Sequence, residues 1–238
     1  MPTTHTPVAL VTGATEGIGR ATAFALGRAG WAVGVCARTA AKVDALVAEL
    51  AGAGIRAAGR AADVSREDDV AALVAHVEAA LGPVDALVNN AGVLHAKPLL
   101  ELSLEELDET MGVNVRAHFL TTRAVLPGMR ARRSGAVVNV ASLSARTGFA
   151  GGTAYCASKH AVLGFSRALM QEVRGDGIRV VAVCPGSVAT DMIRRQTAFE
   201  SDPARILLPE DVAATILHAL QLPPRALVSE IDVRPTTP

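Results

Sequence analysis

Tyrosine occurs once in these 238 residues, lysine three times against twenty arginines, and aromatic side chains make up only 3%. The shortage of lysine leaves no charge imbalance, since 23 basic and 23 acidic side chains cancel. A chain without net positive charge lacks the field of a general nucleic-acid binder. Cys36, Cys156 and Cys184 form no CxxC pair, which excludes a disulfide framework or zinc ribbon and suggests buried thiols in a reducing compartment. The histidines at 5, 76, 95, 118, 160 and 218 show no ligand spacing, so no metal site is expected. No apolar run approaches the ~20 residues of a membrane span. The opening MPTTHTPVAL lacks a basic stretch leading into a long apolar one. The expectation is a soluble, cytoplasmic protein. A disorder signature is missing as well: half of the residues are apolar and 19% charged, ample for a core.

What is present alternates. Apolar runs at 7–12, 31–36, 55–62, 84–89, 136–141, 178–184 and 226–233 read as about seven strands, with helical stretches between most of them. Parallel strands need crossovers, so this order predicts an α/β fold with helices on both faces of a parallel sheet. Ser65-Arg66-Glu67-Asp68 and Ser103-Leu104-Glu105-Glu106 fit capping boxes, the second opening a helix to about Leu126 that breaks near Pro127-Gly128. No composition shift or repeat divides the chain, so one domain over 1–238 is expected. Segment 187–208, long and weakly periodic after a strand end, is a candidate substrate lid.

The single tyrosine, Tyr155, stands four residues before Lys159. On a helix that spacing puts both side chains on one face. A close ammonium stabilises phenolate and lowers a pKa that is otherwise near ~10, which suits proton transfer near neutrality. Ser142 follows the apolar run 136–141, so its hydroxyl falls at the carboxyl end of the sheet, where open α/β folds bind ligands. Taken alone, a Tyr-x-x-x-Lys is common and fits an ordinary helix tyrosine. Gly13, Gly17 and Gly19, spaced GxxxGxG between a strand and a helix, let backbone approach a pyrophosphate at a helix N-terminus. Asn89-Asn90-Ala91-Gly92 ends the fourth strand and reads equally as a cofactor floor or a plain turn. Asn114 lies in an apolar helical stretch, either as a satisfied core amide or as part of a site.

Together these pieces resemble the classical short-chain dehydrogenases/reductases from end to end, adding Asp63 and Pro185-Gly186. The resemblance implies a Rossmann-type, doubly wound fold and hydride transfer between a nicotinamide and a carbonyl or alcohol. It implies Tyr155 as acid/base, Ser142 orienting the substrate oxygen, Lys159 lowering the tyrosine pKa and holding ribose, and Asn114 holding a relay water. Cofactor contacts are implied at Gly13, Thr15, Glu16, Gly17, Ile18, Gly19, Arg38, Asp63, Val64, Asn90, Ala91, Gly92, Tyr155, Lys159, Pro185, Gly186, Val188 and Thr190. The ending Val228–Pro235, without a Gly-Gly tail, together with Ala150-Gly151-Gly152, is similar to NADP-dependent 3-hydroxy acid (serine-type) dehydrogenases. 3-Oxoacyl-acyl-carrier-protein reductases are the runner-up. A non-catalytic nucleotide sensor of the same fold would not need Tyr155, Lys159 and Ser142 together.

The cofactor follows from another absence. Where NAD-binding folds carry an acidic residue for the ribose 2′-hydroxyl, residues Arg20 to Val43 contain no carboxylate. The turn after the second strand offers Arg38 instead. A guanidinium suits a 2′-phosphate and is worth roughly ten- to a hundredfold in affinity, so NADP is expected over NAD. Glu16 argues the other way by repulsion. Leu94, His95, Ser144, Phe149 and Gly186 should border the pocket, and Arg146, Arg194 and Arg195 are either anion partners or a solvated basic surface. A small carbonyl or alcohol substrate is expected, together with a homotetramer, suggested by the family and by apolar helices at about 103–126 and 153–174.

Overall fold

The computed structural model describes residues 5–195 and 205–236. Its strands are β1 (Val8–Thr12), β2 (Ala32–Ala37), β3 (Ala57–Ala61), β4 (Ala86–Asn89), β5 (Gly135–Val140), β6 (Ile178–Pro185) and β7 (Glu230–Val233). They form one parallel sheet in the order β3-β2-β1-β4-β5-β6-β7. The helices are α1 (Gly17–Arg28), α2 (Ala40–Gly52), α3 (Glu67–Leu81), α4 (Leu104–Met111), α5 (Ala117–Arg132), α6 (Thr153–Val173), α7 (Asp191–Arg194) and α8 (Pro209–Gln221). This is the doubly wound, Rossmann-type arrangement.

Both faces of the sheet are covered, so the central strands read as nearly unbroken apolar runs rather than alternating ones. Alternation still decides which core each residue enters. Ala9 and Val11 pack with α1, α2 and α8 through Leu26, Leu46 and Ile216. Val8 and Leu10 pack with α3, α5 and α6 through Leu73, Met129 and Val173. The sheet reverses its winding between β1 and β4, which lie side by side (Val11 against Val88). The crevice beyond their carboxyl ends is the ligand position of such folds.

Several elements differ from expectation. No side chain caps α3: its N-cap is Arg66, and the Ser65 hydroxyl instead donates to Asp63 Oδ1 at 2.7 Å. The box at Ser103 is present, Ser103 Oγ accepting from the Glu106 N–H and the Glu106 carboxylate from the Ser103 N–H. The helix it opens is not uniform, because a π-helical segment, Gly112–Arg116, separates α4 from α5. Nor does α5 break at Pro127; it runs on to Arg132. Pro127 is exposed, so water can satisfy the carbonyl its ring deprives of a partner. The last strand starts at Glu230 rather than Ala226. Within segment 187–208, residues 196–204 lie outside the described residues. Its two ends are tied together, Leu207 N–H donating to Ser187 O at 2.9 Å and Ala189 N–H to Leu207 O at 2.8 Å.

Candidate active site

The turn after β1 is shaped by close backbone approach. Gly13 has φ +62°, and a Cβ there would stand 2.8 Å from Ala91 Cα. A Cβ on Gly19 would stand 2.3 Å from Gly13 O, so only glycine lets α1 start this close to the strand. The neighbouring strand end holds the turn. Asn90 Nδ2 donates to Thr12 O at 2.9 Å and Gly13 O at 3.1 Å, while Thr12 Oγ1 accepts from the N–H groups of Asn90 and Ala91. This cradle fits a dinucleotide pyrophosphate: a glycine turn at a helix N-terminus, with the Thr190 side chain beside Gly17.

The cleft above the cradle is walled by Gly13, Thr15, Glu16, Gly17, Ile18, Arg38, Asp63, Val64, Asn90, Ala91, Gly92, Pro185, Gly186, Val188 and Thr190. Gly19 lies beneath, against Gly13 and Asn90. The Asp63 carboxyl is held below its ordinary pKa: burial opposes ionisation, but hydrogen bonds from Ser65 and the fields of Arg38 and Arg66 outweigh it. Cys36, also on the wall, has a thiol pushed up to about 12 by burial and is inert as a nucleophile. Sequence reasoning missed Lys42. It lines the same rim, and its Nζ lies 3.7 Å from Glu16 Oε2, so the carboxylate expected to repel a phosphate has its own cation. The available signal was position, because Lys42 stands in the first turn of the helix that follows Arg38. Met192 and Ile193 of α7 were missed too and add apolar wall.

At the other end of the cleft, β5 delivers Ser142 and α6 delivers Tyr155 and Lys159. Ser142 Oγ accepts from Ser144 N–H at 3.0 Å and is hydrogen-bonded to the Tyr155 side chain. Lys159 Nζ donates to Val140 O at 2.9 Å and stands 5.6 Å from the Tyr155 ring centroid. The expected lowering of the tyrosine pKa is not what this arrangement produces. Burial pushes Tyr155 up to about 12, the Ser142 bond only partly opposing it, and the ammonium is turned to a carbonyl. Burial also brings Lys159 down to about 8.

Asn114 does not reach the cleft wall. It is wholly buried in the π-helical segment, where its amide accepts from Val93 N–H at 2.8 Å and donates to Val93 O at 2.9 Å and Ser158 Oγ at 3.0 Å. Ser158 in turn donates to Tyr155 O at 2.7 Å, so Asn114 braces both the β4 loop and the tyrosine's helix.

Of the expected pocket border, Gly186 is on the wall and the Phe149 ring lies 6.3 Å from that of Tyr155. Leu94 is buried. Ser144 acts through its backbone on Ser142, and His95 turns away to Glu109 at 2.9 Å. Arg146 is bound to Glu230 and Asp232 at 2.8 Å each, and Arg194 to Asp191, whereas Arg195 lines the cleft. Among the described residues no group of three His, Cys, Asp or Glu side chains is placed to hold a metal, and no helix is long and apolar enough to cross a membrane.

A family model described as short chain dehydrogenase matches residues 7–201. A 3-oxoacyl-[acyl-carrier-protein] reductase of Synechocystis is 37% identical over 227 residues, covering 93% of this chain and 92% of the relative. The glycine betaine reductase ATRR of Emericella nidulans is 38% identical over 235 residues; the match takes in 96% of this chain but only 18% of that much longer protein. Among solved structures, a variant of actinorhodin polyketide ketoreductase with NADPH superposes with a TM-score of 0.91 at 37% identity, covering 99% of this chain and 98% of that one.

Proposed function

The chain belongs to the short-chain dehydrogenase/reductase family, an NAD(P)-dependent oxidoreductase of carbonyl and alcohol groups, and we propose that it reduces a ketone with NADPH through Tyr155. The observation that carries this reading is the convergence of Ser142, Tyr155 and Lys159 at one end of a cleft whose other rim holds Arg38 and Lys42. Ser142 Oγ and the Tyr155 hydroxyl hold the substrate carbonyl oxygen between them. When bound, the nicotinamide supplies hydride to the carbonyl carbon. The Tyr155 proton passes to the oxygen as negative charge builds there. With its pKa near about 12 the phenol is protonated at neutral pH, which suits reduction. Lys159, cationic below about pH 8, holds ribose beside the tyrosine. Asn114 keeps the helix of Tyr155 in register through Ser158.

Gly13, Gly17 and Gly19 carry the pyrophosphate, and Arg38 with Lys42 faces the ribose 2′-phosphate. The dinucleotide cradle and the catalytic triplet share one sheet and form one unit over 1–238. The substrate is a small ketone or 3-keto acid. A ketoacyl thioester is the second reading, favoured by the acyl-carrier-protein reductase relative. The protein works as a cytoplasmic homotetramer; its three free, buried cysteines suit a reducing compartment.

The test is steady-state kinetics on ketones, β-keto acids and ketoacyl thioesters with NADPH and NADH. Tyr155→Phe should lose ~10²–10⁴ in kcat, the usual worth of a positioned acid. A variant retaining near-full turnover overturns the assignment.

A further inference from the structure

We propose that Glu109 is a cofactor-selectivity residue, its carboxylate competing with the ribose 2′-phosphate for the guanidinium of Arg38. This rests on placing Arg38 at the phosphate end of the cleft. Glu109 Oε1 accepts from Arg38 Nη1 at 3.3 Å, joining the end of β2 to α4 across the cleft rim. Its other oxygen, Oε2, accepts from His95 Nε2 at 2.9 Å. The contacts continue, His95 Nδ1 lying 3.6 Å from Glu106 Oε1, which also takes Lys97 Nζ at 2.5 Å.

The Arg38 side chain is 68% exposed and that of Glu109 38%. A pair so wet shifts an equilibrium by no more than about fivefold, so its orienting benefit to Arg38 is small and it opens readily. A phosphate monoester brings nearly two negative charges to the same guanidinium. Glu109 then stands as a second anion on one cation, and repulsion at that range exceeds the orienting benefit. His95 offers the carboxylate another partner, so leaving Arg38 does not strand it. NADH carries only a hydroxyl at this position and is indifferent to Glu109. The selectivity is therefore one-sided, and Glu109 weakens the phosphorylated cofactor alone.

Calorimetric titration of NADPH and NADH into the wild type, Glu109→Gln, Arg38→Ala and the double variant, at low salt and pH 7, reads this without turnover. Glu109→Gln should tighten NADPH about three- to tenfold and leave NADH within about twofold. The gain should vanish in the Arg38→Ala background. An unchanged or weaker NADPH affinity in Glu109→Gln overturns the proposal, as does an equal gain without Arg38. If Arg38→Ala changes the NADPH-to-NADH affinity ratio while Glu109→Gln does not, competition fails and the phosphate assignment stands. If Arg38→Ala leaves the ratio unmoved, the assignment of Arg38 fails and takes the competition with it.

Discussion

A histidine sealed inside a protein with no partner for either ring nitrogen makes stability depend on pH. His118, one turn past Asn114 on the same face, is in this position: it is buried, and neither Nδ1 nor Nε2 has a hydrogen-bond partner among the described residues. Burial, with the charge of Lys159 adding, pushes it down to about 3 from an ordinary 6.5. The unfolded chain therefore takes a proton as pH falls through 6.5 that the folded chain refuses until about 3, and stability is lost across that window. Between pH 7 and pH 5 the loss from this one group is about 2 kcal/mol. His118→Leu removes it. Urea denaturation at the two pH values should show the wild type losing about 2 kcal/mol more than the variant, which at pH 7 is no less stable. Equal acid sensitivity would contradict the assignment. Tyr155, Lys159 and Ser142 are legible in the sequence because each is scarce or stands at a strand end. His118 is not, since spacing says nothing of what lies across a helix interface. The tyrosine pKa is illegible for a related reason: i,i+4 spacing places an ammonium nearby but cannot tell that it donates to the Val140 carbonyl.

At the level of elements, the strand–glycine turn–helix of residues 8–28 follows from its local pattern, and so does the capping box at Ser103. The π-helical turn at 112–116 does not, because its cause is tertiary. Asn114 satisfies Val93 and Ser158 at once, and inserting one residue into the helical ladder aims it there. The glycine turn has a similar dependence on a distant element through Asn90, whose two amide protons go to the carbonyls of Thr12 and Gly13. Asn90→Ala leaves both acceptors without their donor and should cost ~1–3 kcal/mol. Asn90→Asp, nearly identical in size, turns an acceptor onto two acceptors and should cost more than Ala. Denaturant midpoints of the two variants, alongside NADPH affinity, test whether donation or bulk holds the turn. An aspartate variant as stable as wild type would show that bulk alone suffices.

The surface of the whole molecule is uneven in a way that composition conceals. Net charge is zero, so nothing long-range keeps copies apart. Exposed large apolar side chains concentrate between residues 99 and 119: Leu99, Leu104, Phe119, and Leu100 at 99% exposure. The Phe119 ring lies 4.4 Å from that of Phe165, joining α5 to α6, and Met111 and Val115 line a shallow groove beside it. Exposed apolar side chains gathered in one stretch of the chain, with an apolar groove at Phe119, mark a contact surface. A second copy is the occupant that a neutral molecule with this face admits at no electrostatic cost, in keeping with closed, symmetric assembly. The wild type should sediment as a tetramer at micromolar concentration. Phe119→Glu sets like charges against each other across any symmetric contact at α5, where burying an unpaired carboxylate costs several kcal/mol. Because the residue is already half-exposed, the fold should survive, with unchanged circular dichroism and a shift to dimer or monomer. A wild type that sediments as a monomer, or a variant that stays tetrameric, would place the contact elsewhere or nowhere.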